Sequence, residues 1–328
     1  MLLRKFAILL PALLLCAPSL PKLHAQDSAS ASAPQEKVII DTDIGDDIDD
    51  AFALALAVSS PRLQILGVTT AWGDTDLRAR LVARFLSQTG HGDIPVTEGP
   101  RTHSTNTFTQ ARWAQAWPRP AQGYPGAVDF IRDQVRRYPG QITLIAIAPY
   151  SNLGALIHED PAAFNQLKRV VLMGGSIRRG YGDLGYLPDH GPDAEYNVAM
   201  DVPASQALFT SGVPIFMMPL DSTQLKLDEV LRATLFSQDT RITDALDALY
   251  QEWSYATSNP TPTLYDAMAV ASVIDPDLCP TRPMHIVVDS KGFTRVAPGA
   301  PNANVCLSSD SDRFFHFYMH TVLGSAGR

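Results

Sequence analysis

The feature that most constrains the fold is a recurring one. Short, nearly continuous apolar runs rich in β-branched residues are separated by longer stretches with helical spacing. Val38-Ile39-Ile40 is the first, then Gln64-Ile65-Leu66-Gly67-Val68-Thr69, then Ile142 to Ala148, Arg169 to Met173, Pro214 to Met218 and His285 to Val288. A strand with one wet face alternates apolar and polar residues, whereas a strand covered on both faces has no reason to. Between these runs, Asp50 to Val58, Asp76 to Gln88, Ala127 to Arg137, Thr240 to Tyr255 and Leu264 to Ile274 show amphipathic helical patterns. The alternation predicts an α/β fold in which helices flank a mostly parallel, open, Rossmann-like central sheet. A chain of 328 residues, 45% hydrophobic and 18% charged, can bury such a core in one large domain. There is no internal repeat. The two long weakly patterned stretches, 89–124 and 174–196, are expected to be functional loops.

The N-terminus follows a different grammar. Arg4 and Lys5 precede an apolar segment from Phe6 to Leu15, and Ala25 offers a small residue for cleavage before Gln26. This predicts a secretory signal over residues 1–25, export to the periplasm or medium, and no stable membrane insertion after cleavage, the segment being short for a span of about 20 residues. Residues 26–36 begin with a small, polar tract and are expected to be a flexible linker, leaving 37–328 as the folded domain. Two cysteines then remain, Cys279 and Cys306, which an oxidising compartment would allow either to pair or to stay as buried thiols. The net charge of −8 excludes nucleic acid as the main partner, because phosphate neutralisation needs a basic surface.

In open α/β sheets, ligands bind beyond the carboxyl ends of the strands. Here those positions are polar: Asp41 and Asp43, Thr70 to Asp74, Pro149 to Asn152, Gly174 to Ser176, and Asp221 to Thr223. The first is extreme. Six aspartates fall within residues 41–50 (DTDIGDDIDD), directly after a buried strand. Helix capping near Ala51 would account for one or two of them. A hard divalent cation such as Ca²⁺ or Mg²⁺ would account for most, and no His/Cys grouping suggests zinc. Three chemistries fit a cation there. One is a phosphohydrolase of the haloacid dehalogenase type, with Asp41 as nucleophile and Asp43 as acid/base, which also requires a later Lys and a second acidic pair. Another is a calcium-stabilised binding protein without turnover. The third is nucleoside hydrolysis.

The stretch Val38-Ile39-Ile40-Asp41-Thr42-Asp43-Ile44-Gly45, with Asp49-Asp50-Ala51, closely resembles the N-terminal signature of the inosine–uridine-preferring nucleoside hydrolase family. Gly67 to Asp74 looks like that family's second strand and loop. Pro149-Tyr150-Ser151-Asn152-Leu153, Met173-Gly174-Gly175, Ala194-Glu195-Tyr196-Asn197 and Asp266-Ala267 resemble its later blocks, in order and with similar spacing from about residue 37 to 280. The resemblance implies a Ca²⁺-dependent N-ribohydrolase acting on a small nucleoside, and commonly a homo-oligomer. It implies Asp43 as general base and Ca²⁺ ligand, Asp50 and Asp266 as carboxylate ligands, and Ser151 as a backbone-carbonyl ligand. Asp49, Glu195 and Asn197 would hold the ribose, with Asp74 as a further candidate.

Four departures from the family pattern bear on those roles. Asp46-Asp47-Ile48 lengthens the first loop by two residues, so Asp47 is an alternative ligand. Asp74 stands where many members have Asn. Asp189 stands where many have an Asn that touches the sugar. Tyr265 replaces a His thought to protonate the departing base. An aromatic residue at that position and Asp at position 74 are features of purine-preferring members. Purine preference is therefore expected, with Trp113 and Trp117 as candidates for the opposite face of the base. His103 and His190, in the long loops, are alternative acids, and His158 reads as a surface residue on a helix.

Overall fold

The computed structural model describes residues 35–182 and 191–324. The expected signal, the expected linker up to residue 34, and both Asp189 and His190 lie outside the described residues. The strands are β1 (Glu36–Thr42), β2 (Leu63–Thr70), β3 (Val96–Glu98), β4 (Ile142–Ile147), β5 (Arg169–Met173), β6 (Ile215–Met218), β7 (Thr281–Met284), β8 (Ile286–Val288), β9 (Thr294–Val296) and β10 (Ala303–Cys306). The helices are α1 (Asp49–Ser59), α2 (Thr75–Gln88), α3 (Ala111–Gln115), α4 (Ala127–Arg137), α5 (Ser151–Glu159), α6 (Pro161–Phe164), α7 (Tyr196–Met200), α8 (Val202–Thr210), α9 (Leu220–Thr223), α10 (Glu229–Phe236), α11 (Arg241–Thr257), α12 (Ala267–Ile274) and α13 (Ser311–Gly324). The first strand takes in Glu36, one residue ahead of the expected start of the domain.

Among the described residues, eight strands form one sheet in the order β3-β2-β1-β4-β5-β6-β10-β7, parallel except for the β10–β7 edge. Alternate residues of each central strand serve opposite layers. Val38 and Ile40 of β1, Ile145 of β4 and Val171 of β5 pack with Phe52, Leu249, Val270 and Phe314 from α1, α11, α12 and α13. Ile39, Leu144, Ala146 and Val170 pack instead with Ile131, Leu156 and Leu208 from α4, α5 and α8. That two-sided burial is why these strands read as continuous apolar runs. The run His285 to Val288 departs from the expectation. It forms β8, which pairs antiparallel with β9 in a separate ribbon and leaves Val287 43% exposed, while β10 takes the place beside β6. A half-exposed ribbon strand and a covered sheet strand differ little over three or four residues, so composition does not separate them.

Two features of the topology position the site. The chain runs outward from β1 through β2 to β3, then returns to β4 on the other side of β1. The connections after β1 and β4 therefore diverge and open a crevice at the carboxyl ends. Helices α1 and α12 pack against one another, so both present their N-termini at that crevice. At the far edge, Cys279 and Cys306 form a disulfide with Cα atoms 5.6 Å apart, tying the approach to β7 to the end of β10.

Candidate active site

Asp41 closes the inner end of the acidic segment. It is fully buried and accepts hydrogen bonds from Thr69 Oγ1 (2.5 Å) and Asn152 Nδ2 (2.7 Å), joining β1 to β2 and α5. Burial pushes its pKa up to about 6, held back by those two hydrogen bonds. It does not line the crevice, so it supports the loop from behind and is not available as a nucleophile.

Beyond it the chain leaves the sheet through Asp43 to Ile48. Thr42 Oγ1 donates to Asp50 Oδ1 (2.5 Å) and accepts from the Ile44 amide (3.1 Å), so the last residue of β1 orients the first turn of α1. Gly45 has a φ of +126°, and the Phe108 ring occupies the space a Cβ would need. Thr109 Oγ1 and Gln110 Nε2 donate to the carbonyls of Asp46 and Asp47, at 2.8 and 2.6 Å. The guanidinium of Arg78, from α2, enters the same loop and pairs with Asp46 at 2.9 Å.

A cavity of about 230 Å³ opens over this loop, lined by Asp43, Asp46, Asp47, Asp49, Asp50, Asn106, Ile147, Met173, Tyr181, Glu195, Tyr196, Asn197, Tyr265 and Asp266. Asp49 and Asp50 begin α1 and Asp266 is the N-cap residue of α12, where helix dipoles favour negative charge. One carboxylate oxygen from each of Asp49, Asp50 and Asp266 lies within 4.8 Å of the other two. Burial, and then the neighbouring carboxylates, push all three pKa values well above the ordinary range. Asp43 is pushed up to about 7 by burial, against the pull of Arg78 and with a further push from Asp46.

The donor set suits a hard cation. Calcium binds oxygen at about 2.3–2.6 Å, so two oxygens on one ion lie within about 5 Å of each other, as these do. Asp49 joins Asp50 and Asp266 in this closest group, while Asp43 lies alongside in the same cavity; the expectation had placed Asp43 in the group and Asp49 on the sugar. Asp47 lines the rim, with its carboxylate taken by the Ile48 amide at 2.7 Å. Ser151 is the first residue of α5 and is not among the lining residues; β4 contributes Ile147 instead.

The opposite wall is polar and firmly held. Glu195 is 2% exposed and caps α7, accepting from the amides of Gly175 (2.8 Å), Asn197 (2.9 Å) and Val198 (3.2 Å). Burial nevertheless pushes it up to about 7. Asn197 Nδ2 donates to the Met173 carbonyl at 3.2 Å. Gly174 is tight for the same reason: a Cβ there would meet the Tyr150 hydroxyl at 2.0 Å.

The aromatic wall differs from expectation. Tyr265 lines the cavity, but its partner is Tyr181, edge-on with ring centroids 6.1 Å apart. The Tyr181 hydroxyl accepts from the Tyr196 amide at 3.0 Å and lies 3.5 Å from Glu195. Neither tryptophan reaches the cavity. Trp113 is buried on α3, which packs against α2 and α11, with the Arg84 guanidinium 4.2 Å over its ring, and the Trp117 carbonyl accepts from Arg80. Asp74 is also elsewhere: it caps α2 through the Leu77 amide (3.1 Å), pairs with Arg101 and lines a neighbouring pocket with His103. His158 is exposed on α5. Three residues at or behind the cavity were not picked out from sequence: Arg78, Asn106 and Tyr181. The only signal for the last two was their place in the long loops.

Comparison with known proteins gives a consistent result. A family model described as inosine-uridine preferring nucleoside hydrolase matches residues 38–316. The chain is 29% identical over 288 residues to the non-specific ribonucleoside hydrolase RihC of Escherichia coli, covering 84% of this chain and 91% of that one. It is 29% identical over 278 residues to uridine nucleosidase 1 of Arabidopsis thaliana, with 79% and 80% covered. Among solved structures it resembles a purine-preferring ribonucleoside hydrolase from Gardnerella vaginalis, with a TM-score of 0.75, 25% identity and 89% and 99% of the two chains covered. It likewise resembles a plant nucleoside hydrolase, with a TM-score of 0.76, 26% identity and 88% and 99% covered.

Proposed function

The chain belongs to the inosine-uridine preferring nucleoside hydrolase family and hydrolyses N-glycosyl bonds, and from that premise we propose that it is a calcium-dependent N-ribohydrolase that splits purine nucleosides into ribose and free base outside the cytoplasm. The observation that carries this is the meeting of Asp49, Asp50 and Asp266 within 4.8 Å, beside Asp43 and across from Glu195 and Asn197. The ion would be held by Asp50 and Asp266, with Asp43 or Asp49 completing the carboxylate set. Bound there, it would compensate the buried negative charge and would lower the pKa of water in the site.

The chain's own groups supply the rest. Asp43, whose pKa burial raises to about 7, lines the cavity where it can take the proton from water that attacks the anomeric carbon. Asp49, Glu195 and Asn197 offer acceptors and a donor for ribose hydroxyls, and the tight capping of Glu195 fixes that wall before substrate arrives. As the C–N bond breaks the sugar gains oxocarbenium character, which the surrounding carboxylates stabilise. Tyr265 and Tyr181 present aromatic surface to the base and hydroxyls near the leaving group. The Cys279–Cys306 bridge supports work in an oxidising compartment.

Ribose release from a nucleoside panel, with added Ca²⁺ and with chelator, tests this. Chelator-sensitive turnover with kcat/KM higher for inosine and guanosine than for uridine is expected. Turnover indifferent to chelation removes the calcium dependence, a uridine preference removes the purine assignment, and binding without turnover removes the catalytic role.

A further inference from the structure

The loop between β1 and α1 carries Asp43 and holds several carbonyls and carboxylates in a small volume. Something must hold it in one conformation. Arg78 is 1% exposed and reaches the loop from the inner face of α2. Its Nη1 donates to the carbonyls of Asp43 and of Ile44 (3.0 Å), its Nη2 to Asp46 Oδ2 (2.9 Å), and its Nε to the Trp72 carbonyl (2.8 Å). Trp72 is itself in the left-handed region, at φ +63°, so the same cation fixes a strained turn after β2. The Phe108 ring lies 5.3 Å from the guanidinium and also fills the space beside Gly45.

We infer that Arg78 is a positioning residue for Asp43, and that Asp46, which pairs with the guanidinium at 2.9 Å, is the anchor that makes this possible. The planar guanidinium directs donors to four acceptors on two loops; a lysine ammonium has three donors on one atom and cannot span them. Arg78 also places a permanent positive charge among Asp43, Asp46 and Asp50. The inference rests on the proposed reading of Asp43 as the general base beside the calcium site.

The full chain carrying Arg78→Lys tests it, with Asp46→Asn beside it. In folded Arg78→Lys enzyme at saturating Ca²⁺, kcat per folded molecule is expected to fall about tenfold or more while KM for inosine stays within about threefold, because a misplaced base slows the chemical step and leaves the sugar contacts in place. Calcium affinity, titrated calorimetrically on chelator-treated protein, is expected to weaken about tenfold. Asp46→Asn keeps the three carbonyl bonds, so a smaller shift in the same direction, about threefold, is expected in both. A folded Arg78→Lys protein with kcat and calcium affinity within about twofold of the parent overturns the inference. Should Arg78→Lys fail to fold, an Asp46→Asn enzyme unchanged in both quantities overturns it. If the parent releases no ribose, the proposed function fails, and the calcium titration of the same variants still decides the role of Arg78.

Discussion

Asp43 stands under opposing demands. A carboxylate this buried resists ionisation, and its pKa near 7 is what a general base at neutral pH requires. Its charge is also crowded by Asp41 and Asp46. Asp43→Asn should therefore separate activity from stability. Single-turnover ribose release should fall by about 10²–10⁴-fold, the usual contribution of a positioned base. The thermal midpoint should hold or rise, since one buried like charge is gone. A variant that loses stability and activity in proportion would mean that Asp43 is structural. Tyr265 allows a second separation. Base–aromatic stacking is worth about 1–3 kcal/mol per base, so Tyr265→Ala should lower kcat/KM for inosine several-fold or more, and lower that for uridine less. Equal losses for both nucleosides would detach Tyr265 from base selection. At this scale the sequence reveals Asp43 within an acidic run unusual for its place after a buried strand, whereas Asp266 and Glu195 were candidates only through the resemblance of their blocks to the family. It does not reveal Arg78. Arg78, Arg80 and Arg84 lie on one amphipathic helix and look alike in sequence; only the tertiary fold turns Arg78 inward.

The elements show why some of the fold was legible and some was not. β1, β2, β4, β5 and β6 lie inside the sheet, and their uninterrupted apolar runs follow from burial by helices on both sides. β3 and β7 are edge strands of three and four residues, too short for a pattern. β10 is short as well, and the covalent link at its end was visible only as two cysteines. That link yields an element-scale expectation. Its 27-residue separation corresponds to a chain-entropy contribution of about 3–4 kcal/mol. Replacing both Cys279 and Cys306 by Ala should lower the unfolding free energy by roughly that amount while kcat and KM stay near the parent values, because neither cysteine lines the cavity. A large loss of kcat in the folded double variant would show that the β10 edge communicates with the site. The converging N-termini of α1 and α12 were half legible. The acidic residues at helix starts are a sequence pattern, but the packing that brings Asp266 to Asp50, over 200 residues earlier in the chain, is a property of the topology.

For the whole molecule, the buried carboxylates set how stability depends on pH and on the cation. Asp41 is raised to about 6, Asp43 and Glu195 to about 7, and Asp49, Asp50 and Asp266 well above the ordinary range, in each case chiefly by burial. Their unfolded values lie near 4. Between those limits the native protein holds protons that the unfolded chain has released, so the contribution of these groups to stability is fullest below about pH 4 and is lost as pH rises through their folded values, about 6 to 7 for Asp41, Asp43 and Glu195 and higher for the other three. Glu36 works the other way: burial raises it, but Lys168 and Thr143 outweigh that and lower it, so its contribution is present above its unfolded value and lost in acid. The raised groups outnumber it at the site. Chelator-treated protein is therefore expected to melt at progressively lower temperature as pH is raised from 5 to 8. A divalent cation bound to the ionised carboxylates would reverse the trend. At about 100 times its Kd it would add about 2.7 kcal/mol, which for a domain of this size shifts the midpoint by about 4 °C. The gap between calcium-loaded and chelated melting curves should thus widen with pH, because protons and the cation compete for the same oxygens. A gap constant between pH 5 and 8, or one that narrows, would mean that the cation binds away from Asp49, Asp50 and Asp266, and the carboxylate cluster would then need another explanation.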